Sequence, residues 1–263
     1  MKVLSVGYCV PRTGLTRVMR RIMEGVAGEF DAHWIGIGNK RPVATEGGVT
    51  VHPCNLRGGD VFGAFQARAF VREHRPAVVF LLNDLWVLDA YEDVLDDFRR
   101  AAAVVTYSPV DGFIRDERAV AVLGRTDRAV LYTRFGRDEV AGAGERLAAR
   151  SEGFRLPPLE VVPHGVDLST FGPLSGDERR AGRARFFPDD SSWQDGFVVL
   201  NANRPQPRKR IDLTIRGFAD FASGKLPGVK LYLQHAVMRE DEREGLLALA
   251  RECGVEERVL VSP

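Results

Sequence analysis

Short apolar runs alternate with amphipathic, helix-length stretches along almost the whole chain, and few folds accept that order. Strand-like segments fall at Val3–Val10, His33–Ile37, Val49–His52, Ala77–Leu82, Ala103–Tyr107, Ala129–Tyr132 and Leu159–Val162. Helical periodicity fills the gaps at Leu15–Ala27, Phe62–Glu73, Val87–Arg99, Arg115–Gly124 and Asp138–Arg150. Strands separated by helices predict an α/β fold, a parallel sheet covered on both faces. From Asp167 to Asp195, Gly, Pro, Asp and Ser dominate around one helical run, Gly176–Phe186, which reads as a linker. A second series follows: strand Phe197–Asn201, helix Asp212–Ser223, strand Lys230–Gln234, helix Glu242–Cys253 and strand Arg258–Val261. The expected organisation is a domain over 1–166, a linker over 167–195 and the first half of a second domain over 196–263.

A chain of 263 residues can bury two ordinary cores. Its formal net charge of +1 provides no field that would draw nucleic acid. Cys9, Cys54 and Cys253 are few, odd in number and far apart, so neither a disulfide framework nor a metal pattern is expected. No apolar run reaches the ~18 residues of a membrane span. The opening Met1–Val10 reads as a first strand rather than a signal peptide, because Pro11-Arg12 follows without a small-residue cleavage site. A cytoplasmic protein is expected.

Asn201-Ala-Asn-Arg-Pro-Gln-Pro-Arg-Lys-Arg-Ile-Asp212 carries the most chemistry. Arg204 sits just past a strand's carboxyl end and Lys209 where the next helix begins, the crevice position at which open α/β sheets bind ligands. A helix amino terminus favours an anion, and two added cations suit a diphosphate; the alternative is a solvated basic loop. Gly14, in the Pro11-Arg-Thr-Gly14 turn, would let backbone approach a phosphate, or is simply a steric glycine. Gly36-Ile-Gly38 lacks the third glycine of a dinucleotide fingerprint and reads as a turn. In Val162-Pro-His-Gly-Val-Asp-Leu-Ser-Thr-Phe171, Gly165 permits a tight bend, Val166 and Phe171 can pack down, and His164 is a structural or ligand-framing residue. Asp111 follows the strand Ala103–Tyr107 and either orients a sugar hydroxyl in the crevice or caps a helix starting near Phe113; Asn83-Asp84 poses the same choice. Arg17, Arg20 and Arg21 share a helix face that is either solvated or suited to an anionic membrane surface. No metal-ligand constellation is visible.

Together these residues resemble the family-4 retaining glycosyltransferases, whose architecture is the GT-B fold of two Rossmann-like domains. The resemblance covers essentially the whole chain. Val162–Phe171 looks like the family's Pro-(Asn/His)-Gly-Val-Asp-x-x-x-Phe segment, and Arg204 with Lys209 matches its donor-diphosphate pair. Gly14 falls at its first-loop glycine, and Asp127–Thr133 resembles its Ala-Asp-x-Val-x-x-x-Ser strand with Thr133 for Ser. Lys230–Pro263 resembles the stretch that follows, with Gln234-His235 where many members have glycine. Two departures stand out. Where many members place a donor-sugar histidine, this chain has Ser108-Pro-Val-Asp111, leaving Asp111 as the candidate catalytic residue. The family's Glu-x7-Glu motif would lie beyond Pro263.

The resemblance implies a hexosyl-type, metal-independent glycosyltransferase that moves a sugar from a nucleoside diphosphate sugar to an acceptor hydroxyl with retention and needs no cofactor. The acceptor is a glycan, a lipid or a small molecule. Alternatives are a sugar-nucleotide epimerase of the same fold or a non-catalytic sugar-nucleotide binding module. With its second Rossmann-like domain incomplete, the chain reads as C-terminally truncated, inactive by itself and prone to self-association through the open edge at Phe197–Asn201.

Overall fold

The computed structural model describes residues 1–263 except 12, 55–57, 189, 204–205, 236–238 and 263. The chain divides into two compact units, Met1–Val166 and Asp167–Pro263. Unit 1 runs β1 (Lys2–Tyr8), α1 (Gly14–Val26), β2 (Asp31–Ile37), β3 (Ala44–Glu46), β4 (Val49–Pro53), α2 (Ala64–His74), β5 (Val78–Leu82), α3 (Leu85–Leu88), α4 (Leu95–Ala101), β6 (Ala103–Ser108), β7 (Arg128–Leu131), α5 (Arg134–Ala148) and β8 (Leu159–Val161). Its sheet order is β3-β4-β2-β1-β5-β6-β7-β8. All pairs are parallel except β3 with β4. Strand order reverses at β1, so the loops leaving β1 and β5 flank the crevice where such sheets bind ligands.

Alternation along each strand feeds two cores. Leu4 and Val6 of β1 join Val79 and Leu81 of β5 beneath α2, α4 and α5. Val3 and Leu82 join Trp34 and the α1 residues Met19 and Met23 on the other face. Gly7 allows that close approach: a Cβ there would sit 2.7 Å from both the Leu82 carbonyl oxygen and the Met19 methyl. Asp127 ties β7 to β6, accepting a hydrogen bond from the Val104 N–H at 2.7 Å.

Three local features depart from the sequence expectation. The hairpin β3–β4 turns on Gly47 and Gly48, both left-handed at φ 57° and 78°, the primed-turn geometry that glycine pairs favour. The expected helix Val87–Arg99 is broken, with a 3-10 turn Asp89–Val94 between α3 and α4. Leu88, Tyr91 and Val94 are all buried, and a spacing of three faces one way in a 3-10 helix. The stretch near 115–124 is likewise a 3-10 turn, Glu117–Arg125, whose cap Asp116 accepts from the Arg118 N–H.

Across the β2–β4 pair, His33 Nδ1 lies 3.1 Å from His52 Nε2, and both rings pack on Phe70, which also meets His74. Asp31, itself bonded to Lys2, stands 3.0 Å from His33 Nε2. Burial lowers the His33 imidazole pKa despite Asp31. Burial, then His33 and His74, lower that of His52. The unfolded chain therefore takes up protons that the folded chain refuses as pH falls below about 6.5. Stability is expected to be full above that pH and to decline on acidification. The urea midpoint should be lower at acid pH than at neutral pH, and His33→Gln/His52→Gln should remove most of the difference. An equal decline in the double variant would sink this account.

Unit 2 contains α6 (Gly176–Phe186), α7 (Ser191–Gln194), β9 (Phe197–Asn201), α8 (Ile211–Ala222), β10 (Val229–Gln234), α9 (Glu240–Glu252) and β11 (Val259–Ser262). The parallel order is β11-β10-β9. Ile215 and Phe218 of α8 pack with Leu231, Leu233, Val259 and Val261. Among the described residues β9 pairs on one side only, and its Phe197 and Leu200 are exposed. Among the described residues no helix is long and apolar enough to cross a membrane.

Candidate functional site

In unit 1 the candidate residues follow strand ends, as a parallel sheet dictates. Two threonines hold the turn after β1. The Thr16 hydroxyl accepts from the Val10 N–H at 2.9 Å and donates to the Tyr8 carbonyl at 3.0 Å, while Thr13 donates to the Val10 carbonyl at 2.9 Å. Gly14 opens α1, no side chain caps the first turn and that turn holds no acid. A Cβ on Gly14 would meet nothing within 4 Å. Neither crowding nor a left-handed φ demands this glycine, and it leaves open space before the helix amides.

Sequence reasoning missed an aromatic cluster at the exits of β6, β7 and β8. Tyr107 of β6 and Tyr132, just past the end of β7, meet edge to face at 4.4 Å. His164 lies against Tyr132 at 3.9 Å and Tyr107 at 5.7 Å, and the Tyr107 hydroxyl donates to the Val162 carbonyl at 2.8 Å. The ring is thus aromatic-bound rather than paired with a nucleophile. Loss of water on packing lowers the His164 pKa, so the ring is neutral near pH 7. Burial, then Tyr107 and Asp84, push the Tyr132 phenol well up. The buried Tyr132 hydroxyl, Ser108 Oγ, Thr106 Oγ1 and Asn83 Oδ1 have no hydrogen-bond partner among the described residues. Buried polar atoms left this way suit ordered water. The available signal was a tyrosine ending each of two neighbouring apolar strands.

Asp111 is exposed in the loop after β6 and makes no hydrogen bond or ion pair with any described residue. No helix starts at Phe113, so Asp111 does not cap one; Asp116 caps the later 3-10 turn instead. Gly165 has ordinary φ and open space at its Cβ position. Val166 and Phe171, expected to pack down, are 61% and 62% exposed. On α1, Arg20 is held by Glu46 at 2.9 Å and Arg21 by Glu24 at 3.4 Å, which neutralises much of that basic face.

In unit 2, described residues at the start of the loop after β9 are tied by hydrogen bonds. Asn201 Nδ2 donates to Thr214 Oγ1 of α8 at 2.9 Å, and its Oδ1 accepts from the Asn203 N–H at 3.1 Å. His235, fully buried after β10, bonds the Asn203 carbonyl through Nδ1 and donates its backbone N–H to Ser262 at 3.0 Å. Arg204 lies outside the described residues. Lys209 ends the 3-10 turn Pro207–Lys209, exposed and without an ion-pair partner among the described residues. Arg210 stands at φ 46°, ψ 55° as the residue preceding α8, its guanidinium on Asp212 at 2.7 and 3.0 Å. A left-handed non-glycine residue is strained, and here it turns the chain from the 3-10 turn into the helix.

A surface cavity of about 430 Å³ in this unit is lined by Lys230, Arg251 and Arg258. Those cations already bond the Glu257 carbonyl, Glu256, and the Ala222 and Lys225 carbonyls. Lys209 is the better placed for a new anion. No three His, Cys, Asp or Glu side chains converge on a metal position among the described residues.

No family model matches the chain. Over 145 residues it is 32% identical to a D-inositol 3-phosphate glycosyltransferase of Acidothermus cellulolyticus, covering 49% of this chain and 31% of that protein. Over 97 residues it is 36% identical to the enzyme of the same name from Kineococcus radiotolerans, covering 33% and 21%. The matched region thus spans a third or less of those relatives. The solved structure of Anabaena HepE with UDP-glucose aligns with all of this chain and 68% of its own, at 15% identity and a TM-score of 0.68. A UDP-forming α,α-trehalose-phosphate synthase from Burkholderia xenovorans aligns over 99% of this chain and 72% of its own, at 13% identity and a TM-score of 0.64. The eight-stranded and three-stranded sheets are those of the GT-B fold, two Rossmann-like units of which the second is the smaller.

Proposed function

We propose that this chain belongs to a retaining glycosyltransferase that draws its sugar from a nucleoside diphosphate donor. The observation carrying this reading is the turn between β9 and α8. Asn201 and His235 anchor its start, and Lys209 at its end is exposed and without an ion-pair partner among the described residues. Sequence likeness to two glycosyltransferases supports the reaction class. HepE, of the same fold, binds UDP-glucose, which supports the donor class.

In this reading the acceptor hydroxyl oxygen bonds to the anomeric carbon as the bond from that carbon to the β-phosphate oxygen breaks. Attack occurs on the face that the nucleotide leaves, and the hydroxyl proton passes to the departing diphosphate. Arg204 and Lys209 hold the growing negative charge, the preorganised electrostatic stabilisation that enzymes use most. Within unit 1, taken by itself, Gly14 exposes the α1 amides to an anion, His164 with Gly165 frames a ligand, and Asp111 orients a sugar hydroxyl.

Because side-chain cations carry the leaving-group charge here, transfer is expected to persist in excess chelator. The experiment is a transfer assay with UDP-glucose on a protein containing this chain, with product configuration read by NMR. Activity lost with chelator and restored by magnesium or manganese overturns metal independence. An inverted anomer overturns retention, and nucleotide release that needs no acceptor favours an epimerase.

A further inference from the structure

One fully buried side chain joins the exits of β9 and β10. His235 is the first residue past β10, and its backbone N–H donates to the Ser262 carbonyl of β11 at 3.0 Å. The backbone that carries the ring is thus fixed from the sheet. Nδ1 of the ring meets the Asn203 carbonyl oxygen. A carbonyl oxygen only accepts, so the ring proton belongs on Nδ1, and in the neutral imidazole Nε2 is a bare acceptor. Nε2 is buried and has no partner among the described residues. Among those residues it is therefore the Nδ1 bond that ties the ring to the β9 exit.

From Asn203 the hydrogen bonds continue into α8. Asn201 Oδ1 accepts from the Asn203 N–H at 3.1 Å and from its Nδ2 at 2.9 Å. Asn201 Nδ2 donates to Thr214 Oγ1, in the first turn of α8, at 2.9 Å. His235, Asn203, Asn201 and Thr214 thus link the end of β10 to the start of α8. The turn between Asn203 and α8 has Lys209 at its far end. Deleting the ring would leave the Asn203 carbonyl without this donor and open a cavity at the β10 exit. The Gln234-His235 pair stands where many members of the resembled family have glycine, and glycine has no side chain to form this bond.

We propose that His235 is a positioning residue: its Nδ1–H holds the Asn203 peptide, and with it the start of the β9–α8 turn, in the geometry that receives a diphosphate. This rests on the reading of that turn as a diphosphate site. The probe is UDP, the departing group of the proposed transfer. Calorimetry measures its affinity for the full chain and three variants, and long-range nitrogen–proton NMR reports which ring nitrogen of His235 carries the proton. His235→Asn places an amide N–H where Nδ1–H stood, His235→Gln places its amide near the Nε2 position, and His235→Ala supplies neither. The wild-type ring is expected as the Nδ1–H tautomer. UDP affinity should fall about tenfold or more in the Ala and Gln variants and return to within about threefold in the Asn variant. Urea midpoints are measured alongside. Affinity that merely follows the midpoint across the three variants marks a structural role and overturns the proposal. An Nε2–H ring, unchanged affinity in His235→Ala, or an Asn variant no better than the Gln variant also overturns it. Absence of UDP binding by the wild-type chain overturns the diphosphate reading and the proposal together, whereas UDP binding indifferent to His235 overturns the proposal alone.

Discussion

Replacing Arg204 or Lys209 with alanine, in a protein that carries this chain, is expected to lower sugar transfer by roughly 100- to 1000-fold, the scale of losing one preorganised donor at a developing charge. The loss should fall mainly on kcat, because charge on the bridging oxygen grows toward the transition state and the ground-state diphosphate already has its negative charge spread. Among the described residues Lys209 has no carboxylate to release before it can act. Arg210→Ala is the internal control: its guanidinium is already committed to Asp212, so its removal should leave turnover near normal. Unimpaired kcat in both alanine variants would remove Arg204 and Lys209 from the mechanism.

Phe98→Ala should cost about 3–5 kcal/mol, as deletion of a buried aromatic ring does. Phe98 is fully buried on α4 in the larger core of unit 1. Phe113→Ala, at a ring that is mostly exposed, should change stability by less than about 0.5 kcal/mol. The comparison also tests the division into two units. If they unfold separately, Phe98→Ala lowers one urea transition and leaves the transition of the core around Ile215 and Leu231 in place. A single transition that moves as a whole would argue for one cooperative block.

Much of the fold was legible because burial on two faces makes parallel strands into apolar runs that sequence displays directly. The β9–α8 reading located Lys209 for the same reason: a strand end, a basic turn and a helix start are all local. What escaped was non-local or set by tertiary contact. Ala44–Glu46 is too short to announce a strand and exists because Gly47-Gly48 folds it onto β4. The break at Asp89–Val94 follows from what Tyr91 must touch: its hydroxyl donates to the Phe62 carbonyl at 2.7 Å, far away in sequence. The cluster of Tyr107, Tyr132 and His164 joins three strand exits, and no single window of sequence contains it.

Every residue from 162 to 181 is exposed, including Val166, Leu168 and Phe171 of the segment that resembles a family motif. Those three side chains hold neither core together, so what they do depends on what meets them from solvent. Replacing each with serine is expected to change stability by less than about 0.5 kcal/mol, an outcome that would leave recognition as the place to look for their effect.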